Sequence, residues 1–264
     1  MRTATAQLPE FASSTDKVFT TANAVVVLEG AAAFREPPVP ASLYAEHLGT
    51  ALRGQLLTDP AGDLGGILRE AIALVAYTLN LSPGDAPSST VAIARAAGDH
   101  VDALVLGDSP VVLPIGFLSG GRIDGLDPPE QRQYRADLAV DGDDTDEHDQ
   151  LLHKLQNRQA QRRNRHGGYW IAEADPAAAS HAITHQSLIE DTPWTILTTD
   201  WAFQLITHLH TRPWSEIAQY DSTQLHALLS QVHEWESTHD RHGQHLPRAT
   251  RHDHKTIAVA HWRP

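Results

Sequence analysis

Cysteine is absent from the 264 residues, which excludes disulfides and thiolate metal ligation and accords with a reducing compartment. No run approaches the ~18–20 continuous apolar residues of a membrane-spanning helix, and the N-terminal stretch MRTATAQLPEFASS carries no apolar signal core. Positive charge is scarce. Twenty Lys and Arg against 33 Asp and Glu leave a formal charge of −13, a poor surface for a generic polyanion. These deficits point to a cytoplasmic protein whose partner is neither nucleic acid nor a membrane. An HExxH pair or other standard zinc spacing is also missing, although 17 histidines are present and eight fall between His226 and His261. Such histidines serve either as solvated, pH-buffering groups or as a histidine metal site.

What remains is a chain with 41% apolar and 20% charged residues, long enough for one sizeable core. Its most telling feature is three acidic residues attached to β-type apolar runs: Glu29 in VVVLEGAAAF, Asp200 in ILTTDWAF and Asp253 in RHDHKTIAVA. A carboxylate at the end of a buried strand is costly unless positive charge meets it. For three carboxylates so far apart in sequence, a shared hard divalent cation with oxygen ligands is the natural partner.

Between these points the periodicities alternate. Residues 17–28 read as two strands around a turn at Thr21–Asn23; residues 41–58 and 63–80 have helical spacing of leucines and isoleucines. STVAIARA (89–96), DALVLGD (102–108) and PVVLPIG (110–116) follow as strands of an antiparallel meander, with Gly98-Asp99 and Gly107-Asp108-Ser109 at the turns. Residues 117–147 are polar and rich in Gly, Pro and Asp, as in a flap or loop insertion. Residues 146–165 read as a helix ending in Arg158, Arg162, Arg163 and Arg165. That end is either a solvated helix terminus suited to the dipole or a phosphate-docking surface. GYWIAEA (168–174), a short helix capped by Asp175, the strand 195–200, a helix from Trp201, a second over 222–239 and the strand 256–263 complete the chain.

In this order the segments VVVLEGAAAF, SSTVAIA, LVLGDSPVVL, TTD and HDHKT resemble the metal-dependent Ser/Thr protein phosphatases of type 2C. GGYWIAEADP at 167–176 is similar to a segment of the actinobacterial branch. The resemblance implies an α/β fold of α+β type: a sandwich of two antiparallel β-sheets flanked by pairs of α-helices. It implies phosphomonoester hydrolysis, on phosphoserine or phosphothreonine of proteins, by a hydroxide bound between two Mn²⁺ or Mg²⁺ ions. By position, Glu29 matches the bridging carboxylate, the Gly30 carbonyl a backbone ligand, Asp200 and Asp253 the ligands of the first ion, and Asp16 an acidic residue that orients bound water. Arg162, Arg163 and Arg165 are the expected phosphate contacts.

Several positions depart from the family pattern. Glu29 replaces Asp and moves its carboxylate outward by roughly 1.5 Å, one bond length. Trp201 stands where Gly follows the Asp, and is expected to fill space beside the metals or narrow the pocket. PEFASSTD offers no arginine ahead of Asp16, Ala31 replaces a histidine, and His254 replaces the Asn or Asp after the ligand Asp253, as a proton donor or a surface residue. Asp108 is either part of a tight turn or part of the metal environment. Two functional classes therefore stand open: a phosphatase acting on phosphoproteins or phosphorylated small molecules, and a catalytically impaired binding or regulatory module.

Overall fold

The computed structural model describes residues 1–31, 37–120, 161–241, 243–246 and 252–263. Two five-stranded antiparallel sheets face each other. The first joins β2 (Lys17–Thr20), β3 (Ala24–Ala31), β4 (Ser88–Ala97), β5 (His100–Leu106) and β8 (Ile183–Leu188), in that spatial order. The second has the order β1 (Arg2–Leu8), β10 (Lys255–His261), β9 (Trp194–Thr198), β6 (Val111–Leu113), β7 (Gly116–Leu118).

The unbroken apolar run of β3 follows from this layering. Val25 and Val27 enter the core between the sheets with Ala92, Val105, Leu197 and Ala258, whereas Ala24, Val26 and Leu28 point the other way, onto helices. A strand covered on both faces has no use for polar alternation. Helices α1 (Ala41–Thr58) and α2 (Leu64–Thr78) cover the outer face of the first sheet, α1 through a stripe of Tyr44, Leu48, Leu52 and Leu56. Asp63 caps α2, accepting from the Gly66 amide at 2.7 Å. The second sheet is covered by α3 (Asp200–His208), the short α4 (Trp214–Ile217) and α5 (Ser222–Thr238). α5 starts in a capping box between Asp221 and Gln224.

The expected sandwich, its helix pairs and most strand limits are present, but four readings change. The meander breaks after β5: the chain crosses at Gly107-Asp108-Ser109, and β6 pairs with β9 of the opposite sheet. PVVLPIG is a tight hairpin of β6 and β7, not one strand. GYWIAEA makes isolated bridges, Ser89 to Ala172 and Arg163 to Tyr169, in place of a ladder. Edge strands β1 and β8 were not anticipated; both are largely polar and half-exposed, so no apolar run marks them. The flap expected at 117–147 lies outside the described residues beyond position 120, as does the expected basic helix before position 161. Among the described residues no helix is long and apolar enough to cross a membrane.

Two glycines of α1 make the packing testable. A Cβ added at Gly49 would run into the Phe19 ring and come 2.7 Å from Leu28 Cδ1, whereas one added at Gly54 meets nothing within 4 Å. Gly54→Ala should therefore raise stability by about 0.5–1 kcal/mol through helix propensity. Gly49→Ala should lower it by about 1–3 kcal/mol through overpacking. Urea denaturation of the two variants reads the opposite signs; equal signs would contradict the packing of α1 on β2 and β3.

Candidate functional site

Strand polarity brings the acidic positions to one end of the sandwich. β3, β5 and β9 finish there, and β2 and β10 begin there, so the ends of these strands present Glu29, Asp108, Asp200, Asp16 and Asp253. Glu29 accepts from Ser109 Oγ at 3.0 Å and from the Asp200 amide at 3.1 Å, both on Oε2. A side chain of one sheet thereby reaches the first turn of the helix that follows a strand of the other. The additional methylene of Glu supplies that reach, and the helix N-terminus favours the negative charge.

Behind this contact the hydroxyls form a closed circuit. The Glu29 amide donates to Thr90 Oγ1 (3.3 Å), Thr90 and Ser109 hydroxyls lie 2.5 Å apart, and Ser109 returns to the Glu29 carboxylate. Each hydroxyl has one proton, so Thr90 donates to Ser109 and Ser109 to Glu29. Gly107 makes the crossing possible: its φ of +92° is glycine territory, and a Cβ there would sit 3.0 Å from Thr90. The Gly107-Asp108-Ser109 signature is thus more than a turn, because Ser109 holds Glu29 and Asp108 contributes to its electrostatic field.

Asp16 is almost wholly buried, at 1% exposure. Its Oδ2 accepts from Thr256 Oγ1 at 3.0 Å, and Gln7 Nε2 bonds both the Asp16 carbonyl and Thr256 Oγ1. Gly30 lets this segment approach, since a Cβ there would lie 2.8 Å from the Thr15 carbonyl. His254 is not loose on the surface: its Nδ1 accepts from the Thr15 amide at 2.9 Å, which leaves the ring proton on Nε2. Burial pushes its pKa down, in keeping with a neutral ring.

Like charges crowd this end. Burial, opposed by the Thr256 hydrogen bond and reinforced by Asp253, raises the Asp16 carboxyl to about 7. Burial and then Asp16, Asp108 and Asp200 push Glu29 well above the usual carboxylate range, against the hydrogen bond from the Asp200 amide. Glu29 therefore feels three of the other acids, and Asp16 feels Asp253. Glu29 and four aspartates whose charges act on it or on Asp16, with the Gly30 backbone beside them, make an acidic, all-oxygen rim of the chemistry that hard divalent cations take as ligands. Gln204 Nε2 bonds the Asp200 carboxylate, and Lys255 Nζ bonds the Asp253 backbone carbonyl at 2.8 Å. The tight three-ligand group among the described residues, with all ligand atoms within 4.8 Å, is a different one: His233, Glu236 and His252.

Other expectations change. Trp201 does not narrow the pocket. Asp200 begins α3, and the next residue is rotated by about 100° onto the buried face; Trp201 packs into the core and donates Nε1–H to Glu236 Oε1 at 2.7 Å. Arg163 departs from the expected docking surface. It is 9% exposed, ion-paired with Glu173 at 2.7 Å and bonded to the Gly84 carbonyl. Arg162 is half-buried and Arg165 exposed. Tyr169 connects this segment with the rim, because burial and, among nearby charges, Arg163 and Asp108 perturb its hydroxyl.

A cleft of about 470 Å³ opens beside Asp108 and Asp200, with apolar walls from Pro110, Phe117, Phe203 and Leu246. Phe203 connects Phe117, at 5.0 Å between centroids, to Trp214, stacked at 5.4 Å. Sequence reading missed this cleft because Phe117 and Phe203 are far apart in the chain and meet only once β7 joins the sheet that α3 covers.

Neither a family model nor a curated protein sequence matches the chain. Solved structures do match. The catalytic domain of the serine/threonine protein phosphatase PstP, in complex with two manganese ions, aligns over 98% of this chain and 97% of its own at 14% identity and a TM-score of 0.51. The PPM Ser-Thr phosphatase MsPP from Mycobacterium smegmatis, in complex with cacodylate, aligns over 98% and 96% at 16% identity and 0.52. The photosystem II phosphatase PBCP aligns over 98% of both chains at 12% identity and 0.58. At these identities the likeness is one of fold: the chain has the PPM, or type-2C-like, phosphatase fold.

The raised Asp16 carboxyl fixes a pH dependence. An acid whose folded pKa, about 7, exceeds its unfolded 3.8 stabilises the fold below pH 3.8 and loses that contribution as pH rises through 7. In chelator-treated protein, thermal stability should fall between pH 4 and 8. Asp16→Asn should raise stability at pH 8 by on the order of 1 kcal/mol and flatten the profile. A variant as pH-sensitive as the wild type would contradict the burial of a strained carboxyl at this position.

Proposed function

We propose that this protein is a metal-dependent phosphoric monoester hydrolase, acting on phosphoserine or phosphothreonine in proteins. The observation that carries the reading is the meeting of acids from both sheets at one rim, joined by the hydrogen bond from the Asp200 amide to Glu29. Support comes from the shared fold with Ser/Thr phosphatases, one of them in complex with two manganese ions. Glu29, the Gly30 carbonyl, Asp200 and Asp253 are the groups that would hold Mn²⁺ or Mg²⁺. Bound there, the two ions would supply an acidified water and neutralise phosphate charge.

The chain's own residues divide the remaining work. Asp16, buried and held by the Thr256 hydroxyl, would orient the bound water. Ser109 and Thr90 hold the Glu29 carboxylate in one orientation. Arg162 and Arg165 offer positive charge to an anion, with Arg163 fixing their segment to Glu173. The Phe117–Phe203 cleft would take an apolar part of the substrate beyond the phosphate, which favours a phosphopeptide over a small polar phosphoester.

A second reading, a binding module without turnover, is favoured by one feature: Glu29 Oε2 is already engaged by Ser109 and the Asp200 amide, and Gln204 bonds the Asp200 carboxylate. Hydrolysis of p-nitrophenyl phosphate and of a phosphothreonine peptide with Mn²⁺ decides between them. The enzyme reading predicts metal-dependent turnover that falls by at least ~100-fold in Asp200→Asn. Phosphopeptide binding without release of phosphate would establish the module instead.

A further inference from the structure

Behind the acidic rim lies a second, unrelated group of ligating side chains. His233 and Glu236 stand one turn apart on α5, and His252 approaches from the segment leading into β10. Glu236 Oε2 lies 3.5 Å from His233 Nδ1 and 3.3 Å from His252 Nδ1, and the two rings are 4.6 Å apart. An imidazolium–carboxylate hydrogen bond closes to about 2.7–2.9 Å, so both gaps are long for that interaction. They match instead the edge of a ligand tetrahedron: with metal–ligand bonds of about 2.0–2.1 Å, adjacent ligand atoms stand about 3.3–3.4 Å apart.

The surroundings orient the group as a metal's outer ligands do. Glu236 has no exposed surface; Trp201 Nε1–H bonds its Oε1 at 2.7 Å, and Lys255 Nζ bonds Oε2 at 2.7 Å. These two bonds fix the carboxylate plane. The histidines are about one-third exposed, at 38% and 34%, so the group is reached from solvent. With Lys255 offsetting part of the carboxylate charge, the donor set is two imidazoles and a weakened anion. Such a set favours a borderline transition metal over the hard Mg²⁺.

We propose that His233, Glu236 and His252 bind a divalent transition-metal ion of the Zn²⁺ type, at a site separate from the acidic rim. His252 directly precedes Asp253, and Lys255 bonds both Glu236 and the Asp253 carbonyl. An ion here therefore pins the turn that carries Asp253 onto α5. This site does not depend on the chain being a phosphatase.

The test titrates Zn²⁺ by calorimetry into the full, chelator-stripped chain in excess Mg²⁺, with Co²⁺ absorption as an independent report of tetrahedral N/O ligation. The wild type should take up one Zn²⁺ with affinity unchanged by Asp200→Asn. His233→Ala and His252→Ala should each weaken binding by at least ~10-fold and remove the Co²⁺ bands. Both positions are partly exposed, so the variants are expected to fold, with circular dichroism as the check. Wild-type Zn²⁺ affinity in both variants, or no Zn²⁺ uptake by the wild type, would overturn the site.

Discussion

The crowding of carboxylates where the two sheets meet is the constraint around which this molecule is organised. Burying several acids within one another's field is unfavourable by itself, and a protein tolerates it only with hydrogen bonds and positive charge in compensation. Here the compensation is local. Ser109 and the first amide of α3 hold Glu29, Thr256 holds Asp16, Gln204 holds Asp200, and the buried Lys255 lies among them. The arrangement leaves the Glu29 and Asp16 carboxyls above the ordinary carboxylate range, so the crowding carries an electrostatic cost.

The same constraint explains features far from any ligand. Gly30 is needed because the Thr15 carbonyl presses against it, and Gly107 because the chain must turn sharply to carry Ser109 from one sheet toward the other. Trp201, Lys255 and Glu236 form a buried polar junction that ties α3, α5 and the start of β10 together, fixing the residues beside Asp200 and Asp253 from behind. Arg163 and Glu173 do similar work for the segment next to Tyr169.

Much of the fold was legible in the sequence where burial is symmetric. The VVVL run of β3 and the leucine stripe of α1 announce strand and helix because each side chain's environment follows from its period. Edge strands β1 and β8 carry no such signal, being polar and half-exposed. The acidic positions were found because a carboxylate ending an apolar run is unusual. Ser109 was passed over as a turn residue because its role depends on β6 changing sheets, a long-range event no local pattern encodes. Trp201 was expected in the pocket because its neighbour is a site residue, yet one step along a helix turns a side chain toward the opposite face. A histidine metal site within His226–His261 is one of the two readings the sequence offers, but no standard spacing singles out His233, Glu236 and His252, because His252 lies 16 residues beyond Glu236.

On the proposed function, the rim acids hold a pair of divalent cations. Crystals soaked in Mn²⁺ and measured at the manganese absorption edge test it most directly. Two anomalous peaks are expected at the rim, with oxygens of Glu29, Asp200 and Asp253 about 2.0–2.4 Å away, the range of hard-cation ligation. Absence of density there, with those carboxylates still bonded only to Ser109, Gln204 and their other protein donors, would contradict it.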